Sequence, residues 1–223
     1  MTSLEMQKEF SITVDKVDSS AFPELTKKEK YYFLNEGLIR FIKTRYQRNN
    51  MYGKGYEESQ KRRDDLSAIT LTRFIPALEA NGRYEMNLNE LYQDENISVL
   101  SEDKYMFFLR GSGKTIGGCK DWTKASIMDH DDYEEIKDDP FNQPTVDDLV
   151  ILFEEGKIVT DVPTEKLKIT FLAFPPFISD DQECVLAEHT HKEVVQMAAT
   201  IALENIESQR LQTKSGVTDK TIE

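Results

Sequence analysis

A chain of 223 residues with a net charge of -13, 39% hydrophobic and 31% charged residues is long enough for one large domain or two small ones, with a modest core under a large polar surface. That charge repels phosphate and anionic lipid at long range, which argues against a whole-chain binder of nucleic acid or membrane. No apolar run approaches the roughly 18 residues that a membrane span requires. There are two cysteines, and Glu5, Glu9, Asp15 and Asp18 stand where a secretory signal needs an apolar core, so the chain reads as reduced and cytosolic and the Asn96-Ile97-Ser98 sequon carries no weight.

Residues 1–24 read as an amino-terminal arm, whose alternation Phe10-Ser11-Ile12-Thr13-Val14 suits an edge strand laid against a neighbour. A helical hairpin module is expected over 25–80. Its first helix opens at the capping box Thr26-Lys27-Lys28-Glu29 and carries Tyr31, Leu34, Leu38, Phe41 and Ile42 as one apolar stripe. It ends at the polar, glycine-containing Asn49-Asn50-Met51-Tyr52-Gly53. A second helical pattern covers about Tyr56 to Leu71, with Leu66 and Ile69 on its apolar side, and Pro76 prevents a simple continuation.

Turn signals at Gly111-Ser112-Gly113, Gly117-Gly118 and Glu155-Gly156 then separate short β-rich runs, which places an antiparallel β-rich domain at 81–183. Strands are expected at Tyr105 to Leu109, Trp122 to Met128, Leu149 to Phe153, Lys157 to Asp161 and Lys166 to Ala173. The last sets Leu167, Ile169, Phe171 and Ala173 on one face against Lys166, Lys168 and Thr170 on the other, and Pro175-Pro176 stops it. A carboxy-terminal helix over 184–209 carries Val194, Val195, Ala198, Ile201, Ala202 and Ile206 as a stripe that packs on the core, and 210–223 is a flexible tail. The fold class is α+β: an amino-terminal helical hairpin, a central antiparallel β-rich domain and a carboxy-terminal helix.

No motif supports an enzyme. Gly111-Ser112-Gly113-Lys114-Thr115 resembles the end of a P-loop, but the glycine required five residues before Gly113 is Phe108, and Gly117-Gly118 disfavour the phosphate-facing helix. The segment reads as a mobile hairpin turn. His189 and His191 lack zinc spacing and read as the opening turn of the last helix. The acidic run Asp129 to Glu135 lacks the spaced ligands of a calcium loop and reads as a helix start. Catalytic residues, cofactor and metal are all expected to be absent.

Charge distribution says more. Between Lys27 and Arg63 lie 11 basic and four acidic residues, so this segment carries +7 and the remainder -20. Such a basic module on an acidic body can dock on the acidic body of a neighbouring copy. The candidate partner interface is therefore Arg40, Lys43, Arg45, Arg48, Lys61, Arg62 and Arg63 on the basic side and Asp131, Asp132, Glu134 and Glu135 on the acidic side. A second reading is a nucleic-acid-binding regulator that lays the basic hairpin on a phosphate backbone.

Two stretches, Phe41-Ile42-Lys43-Thr44-Arg45-Tyr46 and Lys54-Gly55-Tyr56-Glu57-Glu58-Ser59-Gln60-Lys61-Arg62-Arg63-Asp64-Asp65-Leu66, resemble the amino-terminal pattern of ring or neck proteins of crAss-like bacteriophages. The similarity continues through His130 to Ile136, Asp139-Pro140-Phe141-Asn142-Gln143-Pro144, Cys184 to Val195 and Leu203 to Glu207; Ala187 stands where the family pattern often has proline. This resemblance implies a virion head-to-tail connector assembled in the host cytoplasm as a closed, twelve-fold homo-oligomeric ring. It also implies the portal and other neck or tail ring proteins as partners, no membrane, and genome DNA passing through without specific binding.

Overall fold

The computed structural model describes residues 1–17, 25–47, 60–80, 82–94, 97–100, 104–137, 139 and 141–205. In chain order it contains α1 (Ser3–Val17), α2 (Lys27–Tyr46), α3 (Gln60–Asp65), β1 (Thr70–Pro76), β2 (Leu78–Ala80), β3 (Arg83–Asn87), β4 (Tyr92–Asp94), β5 (Ile97–Leu100) and β6 (Tyr105–Thr115). There follow β7 (Thr123–Ile127), α4 (His130–Lys137), β8 (Leu149–Glu154), β9 (Lys157–Thr160), β10 (Thr164–Ala173) and α5 (His191–Asn205). The class is α+β, with helices at both ends and an antiparallel-rich sheet between. Contacts divide the chain into a helical unit, Met1–Ile69 with Pro175–Glu223, and a sheet unit, Thr70–Phe174.

In the helical unit α2 begins as its capping box dictates: the Glu29 amide donates to the Thr26 hydroxyl and the Thr26 amide to the Glu29 carboxylate. The arm corrects the expectation of an edge strand, because Phe10 to Val14 lie inside α1. Its buried residues Met6, Phe10 and Val14 recur four apart while Ile12 is 53% exposed, and a five-residue alternation cannot be told from that helical spacing. The sequence does carry the start signal: Thr2 and Glu5 exchange the same two hydrogen bonds as Thr26 and Glu29.

The expected helix from Tyr56 to Leu71 is also corrected. Among the described residues it is reduced to α3 and a 3-10 turn at Ser67–Ile69, and Thr70 already pairs in β1. A ladder with β10, from Thr70↔Leu172 to Pro76↔Lys166, overrides local propensity.

Helix α5 packs on α1 and α2, burying Val194, Val195, Ala198, Ala199 and Ala202; Ile201 is only partly buried, and Ile206 and the tail lie outside the described residues. At the α2–α5 crossing a Cβ on Gly37 would stand 2.7 Å from the Ala198 amide nitrogen and 2.8 Å from its Cβ. Mid-helix glycine costs about 1 kcal/mol relative to alanine, but overpacking against rigid backbone costs about 1–3 kcal/mol. Gly37→Ala is therefore expected to destabilise the helical unit, seen as a lowered urea midpoint; an unchanged or raised midpoint would show that α2 and α5 can separate without penalty.

The sheet unit has the strand order β2-β3-β9-β8-β7-β6-β10-β1-β4-β5. Every pairing is antiparallel except β7 with β8. The sheet curls enough for β1 to contact β3, six places away in that order. Ile75, Met86, Phe108, Leu149, Ile151, Ile158, Leu167, Ile169 and Phe171 fill the concave side. The expected strands all form, with ends shifted by a residue or more; β10 turns Leu167, Ile169, Phe171 and Ala173 into the core as its alternation requires. In β8 the apolar run Leu149 to Leu152 is buried on both faces, Leu149 and Ile151 in the main core and Val150 and Leu152 beneath α4.

The glycine-rich segment corrects another expectation, since Gly111 to Thr115 is no turn but the end of β6. Any Cβ on Gly113 would overlap Leu149 Cδ2, so glycine there makes room for the core. The Glu155-Gly156 signal does form a two-residue hairpin between β8 and β9, with φ of 47° and 78°.

Candidate assembly surface

Helix α2 buries Leu34, Leu38, Phe41, Ile42 and Arg45. The opposite side exposes Lys28, Tyr32, Glu36, Arg40 and Lys43, spaced by three or four residues as one stripe. Arg40 Nη1 pairs with Glu204 Oε2 of α5 at 3.2 Å; both side chains are about half exposed, so the pair contributes at most about 1 kcal/mol.

Arg45 falls on the apolar stripe, and its guanidinium lies 4.9 Å from the Phe41 ring centroid. A buried cation requires a partner. Arg45 Nε lies 2.9 Å from Asp65 Oδ2 and Nη2 pairs with Glu193, while the other Asp65 oxygen is 2.8 Å from His189 Nε2. Lys61 Nζ reaches Glu193 Oε1 at 3.5 Å. The Arg45 and Asp65 side chains are 2% and 1% exposed. Arg62 is also buried, with Nη1 donating to the Gln47 carbonyl at 3.5 Å.

Arg45 and Arg62 therefore leave the expected docking set: they join α2, α3 and the start of α5 from inside. The signal was in the sequence, since Arg45 follows Phe41 and Ile42 at helical spacing and so continues the buried stripe. Lys43 and Arg63 are exposed, Arg40 and Lys61 are exposed with partners in their own unit, and Arg48 lies outside the described residues.

The acidic residues occupy α4 in the sheet unit. Asp131, Asp132, Glu134 and Glu135 are exposed, whereas Tyr133 is buried with Val150 and Leu152. The Tyr133 hydroxyl donates to Asp161, which also receives Arg83 Nε at 2.8 Å and Lys137 Nζ at 3.3 Å. Burial, reinforced by the Asp161 charge, pushes the Tyr133 hydroxyl well above its ordinary pKa. For Asp161 burial acts upward, but the Tyr133 hydrogen bond and the two cations prevail and hold it below the usual carboxylate range. Helix α4 is thus pinned to β8 with its carboxylates facing outward.

The other sequence candidates have structural partners. Lys114 Nζ pairs with Glu165 at 3.1 Å and the Thr115 hydroxyl donates to the Val146 carbonyl at 2.9 Å, so neither of these P-loop-like side chains faces an open phosphate cradle. His191 Nε2 donates to the Leu186 carbonyl at 2.9 Å. Among the described residues no His, Cys, Asp or Glu group is arranged to hold a metal ion, and no helix is long and apolar enough to cross a membrane.

No curated protein sequence matches this chain. A family model does match, over residues 1–215, and with nearly the whole sequence covered the chain belongs to the phage tail ring protein 3/4 family, which makes it a crAss-like phage ring protein and a virion component.

Proposed function

We propose that the chain is a non-enzymatic subunit that closes with copies of itself into a ring in the phage neck, between portal and tail, around the path of the genome. The observation that carries this reading is the separation of exposed charge, basic on α2 and α3 and acidic on α4. A ring built from one chain needs two different, mutually complementary surfaces on each subunit, and opposite charges steer their encounter and fix their register. Twelve copies per ring, stacking on the portal and assembly in the host cytoplasm are the expectations carried by the family resemblance. The net charge of -13 supports a conduit past which phosphate slides. Arg45, Arg62, Arg40 and Lys61 are engaged within their own unit, which weighs against the regulator reading.

Charge reversal tests the proposal. Lys43→Glu with Arg63→Glu is expected to abolish ring assembly, followed by negative-stain imaging and mass photometry, while the subunit stays folded. Reversing Asp131, Asp132, Glu134 and Glu135 to Lys should do the same, and mixing the two reversed proteins should restore mixed rings. Rings indifferent to both reversals would overturn this interface. Tight duplex DNA binding by the wild type, weakening steeply as salt rises, would favour the regulator.

A further inference from the structure

We propose that Phe141 is the aromatic anchor of the contact between copies and that it docks on α2 of the next copy. This rests on the ring reading and names the residue on which that contact turns.

Phe141 is 94% exposed, far beyond the other exposed apolar side chains among the described residues of the sheet unit, such as Leu78 at 60% and Ile116 at 55%. Hydrogen bonds to Asp139 hold Phe141 and the two residues after it. Asp139 Oδ1 accepts the Phe141 amide at 2.9 Å and Oδ2 accepts Asn142 Nδ2 at 2.6 Å, while the Asp139 carbonyl accepts the amides of Asn142 at 3.2 Å and Gln143 at 2.9 Å. The Phe141 amide, followed by the Asn142 side chain, holds the Asp139 carboxyl below its ordinary pKa, so the ionised form that locks the turn persists at neutral pH. An aromatic ring on a pre-organised turn loses little conformational freedom on docking, which is the character of an interface hot spot.

The occupant follows from charge and shape. Helix α4, just ahead of this turn, exposes Asp131, Asp132, Glu134 and Glu135, so a partner lying across both must be cationic. The chain carries a net basic surface in the α2 stripe from Lys28 to Lys43, about 22 Å long at 1.5 Å per residue, where Lys28, Arg40 and Lys43 outnumber Glu36 and Arg40 shares its charge with Glu204. Tyr32, the aromatic in that stripe, is 59% exposed and braced edge-on by Phe33 at 5.5 Å. It gives the incoming phenyl ring an apolar landing place between Lys28 and Glu36, and Lys28 can in addition face that ring. Each copy would offer its turn to one neighbour and its α2 to the other, the head-to-tail arrangement that closes a ring.

The test uses full-length protein with Phe141→benzoylphenylalanine, mixed from isotopically light and heavy preparations, assembled and irradiated. The expected product joins residue 141 of one isotope to a peptide within 27–46 of the other. Cross-links confined to one copy, cross-links elsewhere on the second copy, or none would overturn the proposal, and so would a virion protein of another kind captured in place of the second copy. In parallel, Phe141→Ala is expected to raise the subunit concentration for half-assembly roughly 30-fold. Its Tm should match wild type because the ring is uncovered in the subunit. Equal assembly of Phe141→Ala and wild type would remove the anchor and leave the ring reading standing; a wild type that never self-associates would overturn both.

Discussion

Val195→Asp is expected to leave the helical unit unfolded. Val195 is 1% exposed on the face of α5 that also buries Val194, Ala198 and Ala202. A carboxylate placed there loses its hydration, at a cost of several kcal/mol even after relaxation. Set against a total stability of about 5–15 kcal/mol, that is enough to abolish folding. Far-UV circular dichroism and limited proteolysis would read the loss, with Lys192→Asp as the control because Lys192 is exposed on the same helix. A cooperative unfolding transition at the wild-type midpoint in Val195→Asp would show that this face of α5 is not part of the core.

Arg45→Met is expected to be nearly as damaging, with a loss of about 3–5 kcal/mol. The replacement keeps the apolar stem over Phe41 but removes the cation between Asp65 and Glu193. Asp65, 1% exposed, is then left with His189 and without its buried cationic partner. Asp65→Asn in the Arg45→Met background should recover part of the loss, because a buried amide is cheaper than an uncompensated carboxylate. Urea titration reads both as a shifted midpoint at constant slope. A change below about 1 kcal/mol would mark the network as no stronger than a surface ion pair. The same logic limits the assembly tests: reversing Lys61 or Arg62 would disturb this interior, so only Lys43 and Arg63 isolate docking from folding.

The capping box at Thr26, the apolar stripes of α2 and α5, the alternation of β10, the Glu155-Gly156 hairpin and the acidic α4 were legible in the sequence. Each is set by residues within a few positions of one another, whose periodicity and hydrogen bonding need no distant partner. Other features were decided by tertiary structure. The run Thr70 to Ile75 becomes a strand because β10, almost a hundred residues later, offers it a full ladder. Gly111 and Gly113 lie in a strand because β10 and β7 pair with them on either side, and they are glycine because Phe108, Ala125 and Leu149 fill the space that side chains there would need. Helical spacing marks Arg45 as continuing the buried stripe of α2, but no local pattern separates Arg62 from Lys43 and Arg63 in the same basic segment. The division comes from the fold, which supplies Asp65 and Glu193 to Arg45 and the Gln47 carbonyl to Arg62. A charge is tolerated inside only where such a partner meets it, and which charges are met depends on residues that the chain brings together from 148 positions away, as Arg45 and Glu193 are.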